Sequence, residues 1–291
     1  MIRPLNILLS VCLWLSILVR AWGNEPPQGP NCIPVKNLDY ANLAFKPGET
    51  IAYTLHYKWG SINADVAKGH AVLDTLVLNG KPVFHTKVFG RTARFYDIFF
   101  KVREDFQSWF TRDGIIPVKF ARDSREGSYY SVNVYDYKWQ DPEPHIIADL
   151  ESSRKEAWCD TIPLTGCTYD LPSLFYMARN MDFSRVKPNI KYPMTFVIDE
   201  DIYNVYFIWL GRERKYIKGV GTVKTMKFAA KLIAGEVFGS DSDMFLWISE
   251  DANRIPVYFE APIKVGLVSG RIDSWQGLKY PFDALIAPDK K

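Results

Sequence analysis

The sequence is poor in the residues on which most enzymes and metal sites depend. Among 291 residues there are four histidines and four cysteines, and their spacing does not match a zinc site. No Gly-x-Ser-x-Gly element is present, which removes the signature of one large hydrolase class. Gly219-Val220-Gly221 lies inside a strand-like segment and opens no helix that could hold a phosphate. We therefore expect a non-enzymatic protein without a cofactor or a bound metal.

One long apolar run is present, at the amino terminus. Arg3 precedes an apolar run from Leu5 to Val19, and Ala21-Trp22-Gly23 fits a small-x-small cleavage site. This pattern predicts a signal peptide over residues 1–23 and an exported protein, periplasmic or secreted. The run is shorter than the roughly 18 to 20 apolar residues of a spanning helix. No transmembrane span is expected after cleavage, and an uncleaved anchor is the alternative.

A large excess of charge of one sign is also lacking. The chain carries 36 basic and 33 acidic residues, for a net charge of +3. Cleavage after Gly23 would remove Arg3 and Arg20 and no acid, which lowers the net charge to +1. Such a chain has no bulk attraction to nucleic acid or to anionic lipid. Because long runs of Lys and Arg are absent, a nucleic-acid partner is not expected.

Cysteine is scarce, and its number becomes odd after cleavage. The remaining three are Cys32, Cys159 and Cys167, so one is left unpaired or pairs outside the chain. Cys159 and Cys167 flank a loop that contains Pro163 and Gly166 and can turn back on itself, which favours a disulfide between them. A bond from Cys32 to one of the two is an equal alternative, and three reduced thiols are a further one.

Strand-like alternation dominates the chain after a Pro- and Asn-rich lead-in over residues 24–44. We predict a single β-rich domain over 45–282 and a frayed tail over 283–291. Asn79-Gly80 accepts positive φ at both turn positions and predicts a tight hairpin. A short helix is expected within Thr92 to Val102, where the apolar residues have helical spacing.

A medium-length helix is predicted over residues 170–183. Asp170 can cap its amino terminus and Pro172 suits the first turn. Leu174, Ala178 and Met181 lie on one apolar stripe.

One pattern occurs twice. WFTRDGIIPVKF, from Trp109 to Phe120, returns 138 residues later as WISEDANRIPVYF, with one more residue in its insert. Each copy predicts a hairpin in which alternation places the apolar residues on one face. The predicted hairpin core consists of Trp109, Val118, Phe120, Trp247, Val257 and Phe259.

The repeat indicates two similar β halves, over about 45–150 and 190–278, joined by the helix at 170–183. Two sheets that are apolar on one side bury those sides against each other or curl into a barrel. The fold class expected is therefore mainly β: a curved antiparallel sheet or barrel of two similar halves, with one short and one medium helix.

Three segments carry a resemblance to a known family. They are GETIAYTLHYKWGSINADVAKGHAV, YDLPSLFYMARNMDF and MFLWISEDANRIPVYFEAPIKVGLVSGRIDSW. They resemble Domain of Unknown Function 3108, a family of exported bacterial proteins, and most of all its Bacteroidetes members. The most specific stretch runs from Trp247 to Pro256. The resemblance implies an antiparallel β fold in the cell envelope, and it supplies no activity and no catalytic residues.

Candidate polar groups are few. His85 is predicted to lie opposite Asp74 across the Asn79-Gly80 hairpin, an arrangement that can orient a base but also occurs as an ordinary surface pair. The acidic clusters 199–201 and 241–243 lack the six to eight patterned oxygens of a calcium loop.

Aromatic residues make up 15% of the chain. They either fill the core or line a cavity for an apolar or sugar ligand. The sequence therefore favours an envelope protein that binds a hydrophobic or glycan ligand in an aromatic-lined β concavity. The alternatives are an assembly or scaffold protein that contacts other envelope proteins and, third, a hydrolase based on carboxylates or histidine.

Overall fold

The structure is a computed structural model, and it describes residues 35, 38–98, 101–164, 168–231 and 243–289. The described residues form sixteen β-strands, one α-helix and two 3₁₀ turns, Tyr40–Asn42 and Tyr96–Ile98. The helix, α1, is Leu171–Ala178. The strands are β1 Glu49–Trp59, β2 Ile62–Leu78, β3 Lys81–Thr92, β4 Val102–Thr111, β5 Pro117–Glu126, β6 Tyr129–Lys138, β7 His145–Ser152, β8 Lys155–Pro163, β9 Thr168–Tyr169, β10 Lys191–Ile198, β11 Asp201–Ile217, β12 Gly221–Lys231, β13 Asp243–Ser249, β14 Pro256–Pro262, β15 Leu267–Gln276 and β16 Leu285–Pro288.

All sixteen strands belong to one sheet. Its order is β8-β7-β6-β5-β4-β3-β2-β1-β15-β14-β13-β12-β11-β10-β9, and β16 pairs with β12 beside this path. Every pairing of the long strands is antiparallel, so the mainly β antiparallel prediction is confirmed. Within the described residues no ladder joins the edge strands β8 and β9. The curved sheet is therefore open rather than a closed barrel.

Two meanders of antiparallel strands make up the sheet. One runs from β1 to β8 and the other from β10 to β15, and they are joined where β1 pairs with β15, for example at Thr50 and Gln276. The first meander extends beyond the predicted boundary at residue 150, because β7 crosses that position and β8 follows it. β9 and α1 connect the two meanders in the chain.

Both copies of the repeat form hairpins, β4–β5 and β13–β14. A β-bulge falls at the same place in each, after Trp109 in the first and after Trp247 in the second. The residue two positions before the proline has a positive φ in both, 52° at Ile115 and 51° at Arg254. Pro117 begins β5, and a residue without an N–H is tolerated at such a position.

The two hairpins differ in what covers them. Ile255 is fully buried in a cluster with residues of the carboxyl-terminal segment, including Phe282 and Ala284. Ile116, its counterpart, is exposed. At the first turn the described neighbour is instead the amino-terminal segment, where the Gly114 N–H donates to the Leu38 carbonyl and the Tyr40 N–H to Asp113.

The helix is shorter than predicted. It ends at Ala178, with Arg179 as its cap residue, instead of continuing to Phe183. Beyond this point the Asn180 amide donates to the carbonyl of Tyr176, and the guanidinium of Arg254 donates to that of Met181. These side chains donate hydrogen bonds to backbone carbonyls near the end of the helix, so the helix stops there. Asp170 caps the amino terminus as predicted.

The short helix predicted between Thr92 and Val102 is a 3₁₀ turn instead. Strands β3 and β4 continue up to these two residues, and the turn covers Tyr96–Ile98 only. The Thr92 hydroxyl donates to Asp97, and it accepts from the backbone N–H of Val102. These bonds hold the connection as a compact loop, whose Phe95 and Ile98 are exposed.

The predicted fraying of residues 283–291 was wrong for Leu285–Pro288, which pairs with β12. Gly221 permits this pairing, because a Cβ at that position would lie 2.1 Å from the Ala287 carbonyl oxygen. The carboxylate of Asp289 then accepts hydrogen bonds from the Tyr216 hydroxyl and the Gly219 N–H.

Side chains bring the two ends of the sheet together although the ladder does not close. Val197 of β10 and Ile202 of β11 pack in the hydrophobic cluster of β5 to β8. In the turn between β10 and β11, Asp199 accepts hydrogen bonds from Arg122 and Asn133. These contacts join strands that are far apart in the sheet order, so the sheet curls back on itself.

Candidate functional site

The interior of the curled sheet is filled with side chains. Tyr176 of α1 packs against Phe45 at 4.7 Å and against Phe110 at 5.6 Å between ring centroids. The same cluster contains Phe84 from the first meander and Phe228 from the second. α1 therefore occupies the space between the two meanders.

A buried ion pair anchors the end of α1. The guanidinium of Arg179 donates to both carboxylate oxygens of Glu49, at 2.5 and 2.8 Å, and its Nε donates to the carbonyl of Asn253. Both charged side chains are fully buried. Since every polar atom of the guanidinium has an acceptor, this pair holds the fold and offers no group to a ligand.

A cleft of about 700 Å³ lies beside this anchor, between the amino-terminal segment, the end of α1 and the turn of the second hairpin. Asn180, Arg254 and Tyr280 contribute to its wall. Their polar atoms are bound within the chain: the Asn180 side-chain oxygen accepts from the Ala44 N–H, the Arg254 guanidinium donates to the Met181 carbonyl, and the Tyr280 backbone N–H donates to the side-chain oxygen of Asn253. This cleft is a polar junction of chain segments.

A second cleft, of about 280 Å³, combines cations with aromatic rings. We call it the lysine cleft. Strands β1, β11, β14 and β15 supply its wall, which is lined by His56, Lys215, Tyr216, Lys218, Tyr258, Ser269 and Arg271.

Lys215 is central to the lysine cleft. Its Nζ lies 3.8 Å from the ring centroid of Trp247 and 4.3 Å from that of Tyr258. The nearest carboxylate oxygen belongs to Glu260, at 4.0 Å. Burial lowers the pKa of Lys215 below its ordinary value, and the faces of two aromatic rings attract its charged form.

The folding of β11 and β13 explains this placement. Alternation puts Glu213, Lys215 and Ile217 on one face of β11. Ile217 is buried in the same cluster as Trp247, which brings that face of β11 against β13. Glu213 accepts a hydrogen bond from the indole N–H of Trp247 and so fixes the ring under the lysine.

Arg271 is less available than Lys215. Its two terminal nitrogens donate to the two oxygens of Asp65, at 2.8 and 2.6 Å. Arg271 thereby holds the pKa of the Asp65 carboxyl well below its usual range, and Asp65 in turn raises the pKa of Arg271. The pair fixes one wall of the cleft and leaves Lys215 and the exposed Lys218 as the cations that a ligand can reach.

Serine, histidine and aspartate meet near this wall without forming a catalytic relay. His56 pairs with Ser269 in the register of β1 and β15. Its Nδ1 lies 2.9 Å from an oxygen of Asp65 and its Nε2 lies 2.6 Å from the side-chain oxygen of Asn63. A general base needs a ring nitrogen directed at the nucleophile, and both nitrogens of His56 are directed elsewhere.

The pairing predicted for His85 and Asp74 is confirmed by the register of β2 and β3. The imidazole of His85 hydrogen-bonds Gln107 at 3.1 Å and stacks on Trp109 with 4.5 Å between the ring centroids. Burial lowers the pKa of His85. The contacts described for this ring are thus to an amide and an indole, which is a packing arrangement.

Of the acidic clusters 199–201 and 241–243, the first is fully described by the structure and the second only in part. Asp199 binds Arg122 and Asn133, as described above, and Asp241 lies outside the described residues. Within the part of the chain that the structure describes, no three His, Cys, Asp or Glu side chains are grouped to hold a metal ion.

The six predicted hairpin-core residues belong to strands β4, β5, β13 and β14 and differ in burial. Phe120, Trp247 and Val257 are buried, whereas Trp109, Val118 and Phe259 are partly buried. Of these, Trp247 borders the lysine cleft, by its contact with Lys215.

Cys159 lies exposed on the edge strand β8. Cys32 and Cys167 lie outside the described residues, so the Cys159–Cys167 disulfide stays a prediction. Labelling of both thiols by an alkylating reagent without reductant would contradict it.

No helix in the described ranges has the length and apolar character needed to cross a membrane. The predicted signal peptide over residues 1–23 lies outside those ranges.

The geometry defines an open, barrel-like β protein whose interior is packed and whose cationic aromatic cleft lies among β1, β11, β14 and β15. A family model described as "Protein of unknown function (DUF3108)" matches residues 52–273. The chain therefore belongs to the DUF3108 family, as its sequence indicated.

A solved structure supports the same fold. The crystal structure of a beta-barrel-like protein of Domain of Unknown Function DUF1849 from Brucella abortus is similar over 81% of this chain and all of its own, with a TM-score of 0.51 and 9% identity. At this identity the likeness concerns the fold alone. The search of curated proteins found no match.

Proposed function

We propose that this DUF3108 protein is a non-enzymatic binding protein that takes a small acidic glycan unit in the lysine cleft. The observation that carries this proposal is the position of Lys215, whose amine lies over the rings of Trp247 and Tyr258 beside an open space of about 280 Å³. A carboxylate in that space would form a charge-assisted hydrogen bond with the amine.

The composition of the wall favours a sugar over a lipid chain. Tyr216 is exposed and offers ring surface for the C–H face of a pyranose. Lipid-binding sites need apolar walls, whereas cations line this cleft and α1 with its aromatic neighbours fills the interior. Of the two ligand classes that the aromatic content suggested, the glycan fits the cleft better.

We also propose that the protein is exported after loss of residues 1–23, which would bring the cleft to the glycans of the cell envelope. The scaffold alternative would use the edges of the sheet. Lys155, Glu156 and Asp160 lie exposed on the edge strand β8, and Pro163 ends it. Charges and proline on an edge oppose the addition of a further strand, so this edge supports the alternative poorly.

The direct test is a comparison of D-glucuronate with D-glucose by NMR titration of the protein. We expect binding of glucuronate and much weaker binding of glucose, because only the former carries the carboxylate. Lys215→Met keeps an unbranched apolar side chain over the two rings and removes the charge. It should weaken glucuronate binding about tenfold or more, since hydrogen bonds to charged groups contribute about 1.5–3 kcal/mol.

Lys81→Met is the matched control, because Lys81 lies exposed at the β2–β3 turn and outside the cleft wall. Glucuronate should bind this variant with the same affinity as the unmodified protein. Equal affinity for the two sugars, or an unchanged affinity in Lys215→Met, would refute the proposal. Cleavage of a glucuronate-containing oligosaccharide, followed by mass spectrometry, would refute its non-enzymatic part.

A further inference from the structure

Large apolar side chains are exposed together at one end of the sheet. Trp59 is 54% exposed and Ile62 42%, and they face each other across the β1–β2 turn. Phe95 is 67% exposed and Ile98 80%, both in the β3–β4 loop, and Val265 in the β14–β15 turn is 49% exposed. Side chains of this size gain roughly 1.5–3 kcal/mol each on full burial, so their joint exposure needs an explanation.

The topology places these three loops side by side. Neighbouring strands are antiparallel and follow the order β14-β15-β1-β2-β3-β4. The connections β14–β15, β1–β2 and β3–β4 therefore all lie at the end of the sheet where β1 finishes. The N–H of Ala93 donates to the carbonyl of Val66, which attaches the β3–β4 loop to the projecting end of β2.

Two of the loops touch directly. The hydroxyl of Tyr57 donates to the carbonyl of Val265 at 2.8 Å. A Cβ on Gly266 would lie 2.5 Å from the carbonyl oxygen of Lys58 and 2.9 Å from the Cβ of Trp59. Only glycine allows this approach at its φ of 93°. Trp59, Ile62 and Val265 thus form one contiguous tip, which we call the apolar tip. The β3–β4 loop lies at the same end of the sheet and starts where Thr92 pairs with Ala67.

The charge around the apolar tip has one dominant sign. Exposed cations flank each loop: Lys58 at the first, Arg91, Arg94 and Lys101 at the second, and Lys264 at the third. The acid within these loops is Asp97, and Arg103 occupies both of its oxygens. A nearly neutral protein therefore carries a local patch in which exposed cations flank apolar side chains.

We propose that this end of the sheet docks on an anionic lipid bilayer, with Trp59, Ile62, Phe95, Ile98 and Val265 inserted at the interface and the surrounding cations bound to lipid phosphates. Tryptophan favours the boundary between headgroups and acyl chains. Each Lys or Arg near an anionic surface adds about 1 kcal/mol, and long cationic side chains can extend to the headgroups while their stems stay apolar. This inference is independent of the ligand in the lysine cleft.

The test is vesicle flotation of the full protein as its host produces it. The vesicles contain either phosphatidylcholine alone or phosphatidylcholine with about a third of phosphatidylglycerol. We expect stronger binding to the anionic vesicles, and weaker binding at high salt. Trp59→Ser with Ile62→Ser should lower the partition coefficient at least about tenfold, because it removes two of the inserted side chains.

The matched control is Val77→Ser with Ile116→Ser. These two exposed apolar residues lie at the turns of the opposite end of the sheet, and their loss should leave binding unchanged. Circular dichroism establishes that both double variants remain folded.

Several results would overturn the proposal. One is an absence of binding by the unmodified protein, and another is an equal loss of binding in the two double variants. Competition by millimolar inorganic phosphate would indicate a free-anion site instead of a membrane. A concentration-dependent dimer that Trp59→Ser abolishes, seen by sedimentation velocity, would mean that a second copy covers the apolar tip.

Discussion

Asp170 provides a sharp test of the packing between α1 and the sheet. One of its oxygens accepts the N–H of Ser173 at the start of the helix, and the other accepts the hydroxyl of Ser108 in β4, both at 2.8 Å. The carboxyl is fully buried. Burial raises the pKa of Asp170 to about 6, against the lowering effect of these hydrogen bonds.

The difference between the ordinary pKa of 3.8 and a folded pKa of about 6 corresponds to about 3 kcal/mol. The folded protein holds this proton more tightly than the unfolded chain does. The stability that the group contributes is therefore fully present below pH about 4 and is lost as the pH rises through about 6. At neutral pH the folded protein contains a buried carboxylate that opposes folding by this amount.

Asp170→Asn removes the titration and keeps the cap, since asparagine is as good an N-cap as aspartate. Its oxygen can accept from Ser173 and its amide can donate to the Ser108 hydroxyl. We expect the free energy of unfolding of the variant to rise relative to the unmodified protein by about 3 kcal/mol between pH 4 and pH 7. Urea unfolding followed by tryptophan fluorescence measures it.

Asp97→Asn is the control, because Arg103 lowers the pKa of Asp97 to about 2 and its titration falls below this range. The free energy of unfolding of Asp97→Asn should differ from that of the unmodified protein by a constant amount from pH 4 to pH 7. Parallel stability curves for Asp170→Asn and the unmodified protein would refute the reasoning.

Three further changes test the buried contacts. Glu49→Gln leaves the charge of Arg179 buried without its partner and should cost about 3–5 kcal/mol in urea unfolding, whereas Glu49→Leu with Arg179→Met should cost less; equal losses would contradict this. Asn253→Ala removes side-chain hydrogen bonds to the carboxyl-terminal segment and should lower the free energy of unfolding by about 1–3 kcal/mol; an unchanged urea midpoint would speak against it. Gly270→Ala places a Cβ 2.0 Å from the ring of Phe259, so thermal unfolding should show a loss of stability of about 1–3 kcal/mol. Adding Phe259→Leu should restore part of this stability, and no restoration would argue against that contact.

Period-two alternation was sufficient to predict most strands and the two hairpins of the repeat. Asn79 and Gly80 both have the positive φ that their hairpin requires. The β-bulges after Trp109 and Trp247 were not predictable, because a bulge depends on the partner strand as well as on its own sequence. Helix length was overestimated for a similar reason, since the residues that end α1 are bound by Arg254, 75 residues from Arg179.

The lysine cleft could not be found from the sequence. Trp247 and Tyr258 are partners across the β13–β14 hairpin. Lys215 lies on β11, two strands away in the sheet order, and only the folded sheet places its amine over their rings. The single local signal is the alternation that aligns Glu213, Lys215 and Ile217, which is common to many half-exposed strands. The exposed residues of the β1–β2 turn were likewise visible only once burial was known.

The extra residue in the second copy of the repeat gives that turn its structural role. The stretch Ala252–Asn253 contains the insertion relative to the first turn, and Asn253 is fully buried. Its side chain binds Tyr280 and Pro281, and its carbonyl accepts from Arg179. One added residue has turned a hairpin tip into the junction between α1 and the carboxyl-terminal segment.

The pairing of β1 with β15 has a kinetic consequence. Thr50 and Gln276 are partners in the middle of the sheet, although more than two hundred residues separate them in the chain. Contacts this distant in sequence slow folding, because the entropy of closing the loop must be lost before the contact forms. Nearly the whole chain must therefore be synthesised before β1 can pair with β15. Until then one edge of β1 is unpaired and exposed to chaperones.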